Sequence, residues 1–137
     1  LLFSLLDTRS DMPGNVLVIG DCTVGQTLGP ALEDAGYHVV DARDSLDGLQ
    51  HLEKGTHRIV ILSEDASLME NISLLPIVKR QTRTPVIVVG SGDKQAVVDS
   101  LTQGADIHLP RTTSARVVLA HLRALLRRHS HFADSLA

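Results

Sequence analysis

The chain has 137 residues, 43% of them apolar and 21% charged, enough for one domain around a single core. Thirteen basic against sixteen acidic residues leave a net charge of −3, so no basic surplus points to nucleic acid. The lone Cys22 excludes a disulfide scaffold and a cysteine-built zinc site; three aromatic residues (Phe3, Tyr37 and Phe132) offer no stacking platform for bases or sugars.

Residues 1–14 read as an N-terminal extension. Leu1-Leu2-Phe3-Ser4-Leu5-Leu6 is short and lacks a basic flank, which makes it a poor signal peptide. Met12-Pro13-Gly14-Asn15 resembles a translation start. That leaves residues 1–11 as an alternative start, a vector-derived remnant or the end of a preceding segment. No apolar run is long enough to cross a membrane, and a cytoplasmic domain is expected.

From Asn15 onward, apolar runs of strand length alternate with segments of helical period. The strand candidates are Val16–Ile19, Val39–Asp41, Ile59–Leu62, Pro85–Val89 and Asp106–Leu109. The helix candidates are Val24–Ala35, Ser45–Lys54, Ile72–Arg80, Asp93–Gln103 and Ser114–Arg128. VLVI and VIVV are continuous and rich in β-branched residues, as strands covered on both faces are. Gly36 and Gly104 follow two of the helices as stop signals. Gly25, Gly29 and Pro30 in the first helix, and Pro76 in the third, predict a late start or a kink. Five β–α units in this order make an α/β domain over residues 15–129: a parallel sheet with helices on both faces. Residues 130–137 read as a linker or tail.

In such a sheet chemistry gathers at the carboxyl ends of the strands. Those ends carry Gly20-Asp21-Cys22, Ser63-Glu64-Asp65, Gly90-Ser91 and Pro110-Arg111-Thr112. Their order and spacing, together with Gly104-Ala105-Asp106-Ile107-His108-Leu109-Pro110-Arg111, resemble the receiver domain of bacterial response regulators. So do Ala31-Leu32-Glu33-Asp34-Ala35-Gly36-Tyr37 and the closing Leu122-Arg123-Ala124-Leu125-Leu126-Arg127-Arg128. That closing helix is most similar to the class carrying a winged-helix DNA-binding domain. The resemblance runs from Asn15 to about Arg128 and implies a flavodoxin-like (βα)5 fold with strand order 2-1-3-4-5.

The family accepts a phosphoryl group on an aspartate after the third strand, with Mg²⁺ held by an acidic pair after the first. A Thr or Ser after the fourth strand and a Lys after the fifth contact the phosphoryl oxygens. Carried over by position, the acidic pair falls on Gly20 and Asp21, the acceptor on Ser63 and the hydroxyl on Gly90. The lysine falls on Arg111, the proline after it on Thr112, and the aromatic switch residue on His108. Asp21 alone survives by identity. A serine hydroxyl cannot form an acyl phosphate, and Asp21 with Arg111 cancel in charge, which leaves little to attract a hard cation. No aspartyl phosphorylation, metal, cofactor or enzymatic activity is expected. Glu64 and Asp65 are expected to be solvated loop carboxylates, because one residue of displacement turns a strand-end side chain by roughly 180°. Ser91 is assigned to a turn or helix cap.

Other motifs are weaker. Gly90-Ser91-Gly92 lacks the third glycine of a dinucleotide loop, since Gln95 stands there. Asp106-Ile107-His108 resembles the start of a cobalamin motif, but Arg111 takes the glycine position. His121, His129 and His131 have no carboxylate partner at ligand spacing. Arg123, Arg127 and Arg128 suit a helix C-terminus.

The expectation is a degenerate receiver, fixed in one state, that regulates transcription through protein–protein contact. DNA would be reached only through an effector region outside these residues. Arg111 is expected to face Asp21 across the sheet edge with Ser63 beside them. The resemblance also implies a dimer face built from the fourth helix, fifth strand and fifth helix. It sets Val97 against Val117, Ile107 against His121, and Asp106 against Arg128. Two of three ion pairs have there become apolar or weakly polar on both sides, which favours a standing homodimer. The alternatives are a sensor of small molecules or anions in the vacated pocket, and a phosphorelay receiver using a displaced acceptor.

Overall fold

The computed structural model describes residues 15–20, 25–69 and 72–136. Strand β1 (Asn15–Ile19) lies between β2 (His38–Ala42) and β3 (His57–Ser63); β4 (Val86–Gly90) follows β3, and β5 (Ile107–Pro110) completes the sheet. All four pairings are parallel, so the expected order 2-1-3-4-5 is the observed one. Every residue of β4 is buried, as its unbroken β-branched run requires.

The side chains of β1 alternate between two cores. Val16 and Val18 pack with Leu28, Leu32 and Leu122 under helices α1 (Gly25–Asp34) and α5 (Ala115–Leu136). Leu17 and Ile19 pack with Leu52, Leu75 and Val78 under α2 (Ser45–Lys54) and α3 (Leu75–Gln81). Helix α2 begins where Asp44 accepts the backbone N–H of Asp47 at 2.8 Å and ends at Gly55, whose φ of 65° is left-handed. Its Gly48 sits so close to β1 that a Cβ there would stand 2.8 Å from Ile19 Cδ1. Helix α4 (Lys94–Thr102) is capped by Asp93, which accepts from the Gln95 N–H at 3.1 Å. Ser100 is the one residue of α4 that is buried.

Two helix boundaries differ by more than two residues from those read in the sequence. Helix α3 starts at Leu75, because Pro76 has no N–H and is suited to the first turn. Ile72, expected inside it, pairs instead with Met69 in a short antiparallel ribbon, Ser67–Met69 with Ile72–Ser73. Helix α5 runs on to Leu136, through residues expected to form a tail; no Gly or Pro interrupts the stretch. Pro30 lies within α1 and neither delays nor ends it; Gly29 before it has no Cβ to meet the proline ring.

Candidate functional site

The carboxyl ends of β1, β3, β4 and β5 bring Gly20, Ser63, Gly90 and Arg111 to one edge of the sheet. Asp21 lies outside the described residues. Gly20 has a φ of 89°, and a Cβ on it would fall 2.8 Å from Ser63 Cβ, so an acidic side chain there would be strained and crowded. Ser63 is 2% exposed, and its hydroxyl accepts the Asp65 N–H at 3.3 Å in the turn that follows. Arg111 donates its backbone N–H to the Gly90 carbonyl at 2.9 Å, holding the β4 and β5 ends together. Thr112 is exposed in the next turn.

Of the two carboxylates after Ser63, Glu64 turns into the site, contrary to the solvated placement expected of it, whereas Asp65 keeps an 80% exposed side chain, as expected. The Glu64 N–H donates to the Val89 carbonyl at 2.9 Å, which extends the β3–β4 ladder past Ser63. Its side chain therefore turns over Gly90, and Oε2 accepts the Ser91 N–H at 2.6 Å. An ideal Cβ on Gly90 would lie 2.2 Å from that oxygen and 2.5 Å from Glu64 Cβ. Only glycine leaves the room. Asp65 pairs with the Arg111 guanidinium, which suits a carboxylate's geometry. Arg111 thus meets a carboxylate from the turn after β3; the partner expected for it, Asp21, lies outside the described residues. The described site holds one guanidinium against two carboxylates, so the cancellation read from Asp21 and Arg111 alone does not describe it. Among the described residues no three His, Cys, Asp or Glu side chains cluster to hold a metal.

His108 on β5 is 9% exposed and bonded through both ring nitrogens. Nε2 is 2.7 Å from the Ser91 carbonyl oxygen and Nδ1 is 2.9 Å from Ser100 Oγ. A carbonyl oxygen can only accept, so Nε2 carries hydrogen and, in the neutral ring, Nδ1 accepts from the serine. Beside Ser63 a cavity of about 370 Å³ opens toward α3 and α4, lined by Glu64, Asp93 and Asp99 with Leu62, Leu75 and Val88. Its lining contains no basic side chain among the described residues, which gives an anion no counter-charge.

Along α4, β5 and α5, Val97, Ile107 and His121 are half-buried, while Val117 is 45% exposed and Arg128 is exposed. Val98 and Leu101 of α4, which the sequence reading omitted, add exposed apolar surface at 55% and 45%. Asp106 is engaged within its own chain, by Lys79 Nζ at 3.3 Å and by the Val86 N–H at 2.7 Å.

No family model matches the chain. Sequence relatives agree with one another: over 123 residues, 89% of this chain and 53% of the relative, it is 28% identical to the transcriptional regulatory protein CseB of Streptomyces coelicolor. It is 30% identical over 125 residues to the response regulator MprA of Mycobacterium sp., covering 87% of this chain and 53% of that protein. The receiver domain of the Francisella response regulator 1452 superposes with a TM-score of 0.75 at 23% identity, covering 85% of this chain and 98% of that one. The chain is a response-regulator receiver domain. It spans about half the length of the curated relatives it matches. No helix among the receiver's described residues is long and apolar enough to cross a membrane.

Within this receiver the sequence reading located the strand ends but missed what Glu64 and Asp65 do there. The available signal was the pairing of a glycine at the end of β4 with a long carboxylate one residue past β3. A side chain absent on one strand is the room for a side chain on its neighbour.

Proposed function

We propose that this receiver relays its signal without aspartyl phosphorylation, as a homodimer joined through α4, β5 and α5, and serves a transcriptional effector outside these residues. The observation that carries the reading is Ser63. It stands at the end of β3, where the family's acceptor resemblance falls, buried and with its hydroxyl engaged in the turn. An acyl phosphate needs a carboxylate there. The two carboxylates that follow it in the chain are otherwise engaged, Asp65 by Arg111 and Glu64 by the Ser91 N–H. The transcriptional role follows from relatives named as transcriptional regulatory proteins.

The dimer reading is supported by Val98, Leu101 and Val117, whose exposed apolar surface lies on the two helices flanking β5. A conventional receiver would use charge pairs there; exposed pairs contribute only about 0–1 kcal/mol each, against about 1.5–3 kcal/mol for a fully buried valine. Incubation with acetyl phosphate and Mg²⁺, followed by intact-mass and peptide mass spectrometry, tests the first part. No phosphoryl adduct is expected. An adduct on Glu64, Asp65 or Asp21 would establish a displaced acceptor instead, and a change of oligomeric state with the phosphodonor would end the fixed-state reading.

A further inference from the structure

We infer that the Glu64 carboxylate is a built-in anion that holds the β4–α4 connection and α4 in one arrangement, the task a phosphoryl group performs in receivers that accept one. The inference deepens the reading above and rests on it in one respect: no phosphoryl group enters the site.

Four contacts form a continuous chain. Glu64 is anchored by its own N–H on the Val89 carbonyl, and its Oε2 takes the Ser91 N–H at 2.6 Å. The Ser91 carbonyl takes the His108 Nε2–H at 2.7 Å, and His108 Nδ1 takes the Ser100 hydroxyl at 2.9 Å. Each link is polar, directional and short. The far end is the informative one. Ser100 is the buried residue of α4, and no α4 side chain belongs to either buried core cluster. A helix with so little buried apolar surface is positioned by its few polar tethers, and its local stability follows theirs. His108 is therefore the tether of α4, Ser91 sets where His108 can reach, and Glu64 sets Ser91. Gly90 makes this possible, because any side chain there would collide with Glu64. The serine at 63 fits the same account, since a carboxylate on β3 beside Glu64 would repel it.

Amide hydrogen exchange and ¹⁵N spectra of the imidazole rings, recorded on the full chain, test the inference. In the wild-type protein the Ser91 amide should be protected although the residue is exposed, and His108 should be the Nε2–H tautomer. Glu64→Ala should raise Ser91 exchange about ten- to a hundredfold, as the loss of a hydrogen bond to a charged acceptor implies. It should also speed exchange through α4 while the α5 amides around Leu122 hold. Glu64→Gln keeps an acceptor oxygen at the same reach and should fall between the two. Unprotected Ser91 or an Nδ1–H tautomer in the wild-type protein overturns the inference even if Glu64→Ala fails to fold. Unchanged Ser91 exchange in Glu64→Ala does so as well. A phosphoryl adduct formed on protein whose Ser91 is protected would refute the phosphorylation-independent reading and leave the Glu64 tether standing.

Discussion

Replacing Val117 by glutamate should weaken self-association without weakening the fold. Val117 is 45% exposed on α5, so a dimer across this face has slightly under half of the side chain left to bury. Full burial of a valine is worth about 1.5–3 kcal/mol, so the remaining share is about 0.7–1.4 kcal/mol per subunit. A two-fold interface counts the residue twice, giving about 1.4–2.7 kcal/mol, or roughly a ten- to hundredfold rise in the dissociation constant. Glutamate adds the cost of desolvating its charge, which makes this a lower bound. Val117 belongs to neither core cluster of its own subunit, so thermal unfolding of the monomer should stay within about 0.5 kcal/mol of wild type. Sedimentation velocity over a concentration series reads the dissociation constant. Ile72→Glu, a residue 44% exposed on the ribbon before α3, is the control and should associate as wild type does. The reasoning fails if the wild-type protein is a monomer at micromolar concentration, or if Val117→Glu associates equally well.

Gly48→Ala should destabilise the domain by about 1 kcal/mol although alanine favours helix by about that amount, because the new Cβ meets three Ile19 atoms within 3.1 Å and Ile19 is fully buried; a stabilised variant in urea unfolding would refute the close approach. Stability should fall on acidification through His57. Burial, and secondarily the charge of His51, holds its pKa below the ordinary 6.5. The unfolded chain takes a proton at that value and the folded chain does not, so stability is full above it and declines as pH drops toward the folded value. His57→Leu should flatten that decline, and parallel stability–pH curves for the two proteins would contradict it.

Much of the fold was written locally. The boundaries of α2 match those read from the sequence residue for residue, because Asp44 and Gly55 supply both caps within the segment. The sheet order came from resemblance, not from periodicity, since nothing local distinguishes which buried strand lies beside which. The start of α3 was misplaced because Ile72 fits a helical period as readily as a strand, and only Pro76 marks the true first turn. At the site, Ser63, Gly90, His108 and Arg111 were legible as strand-end residues. The roles of Glu64 and Asp65 were not. Which way a residue past a strand end points depends on whether the ladder continues, and here it does, through the Glu64 N–H on Val89. That bond joins residues far apart in the chain and leaves no local trace.

Strand β5 lies at the margin of the sheet, four residues long and closed by Pro110. Proline offers no N–H, and so short a margin gives a second sheet little to pair with. Two copies meeting on this flank would gain little from fusing their sheets into one continuous ladder. Recognition in the proposed dimer would then fall to side chains of the flanking helices, which can specify one register and one stoichiometry. In the proposed dimer this would keep the apolar flank from propagating into open-ended fibres.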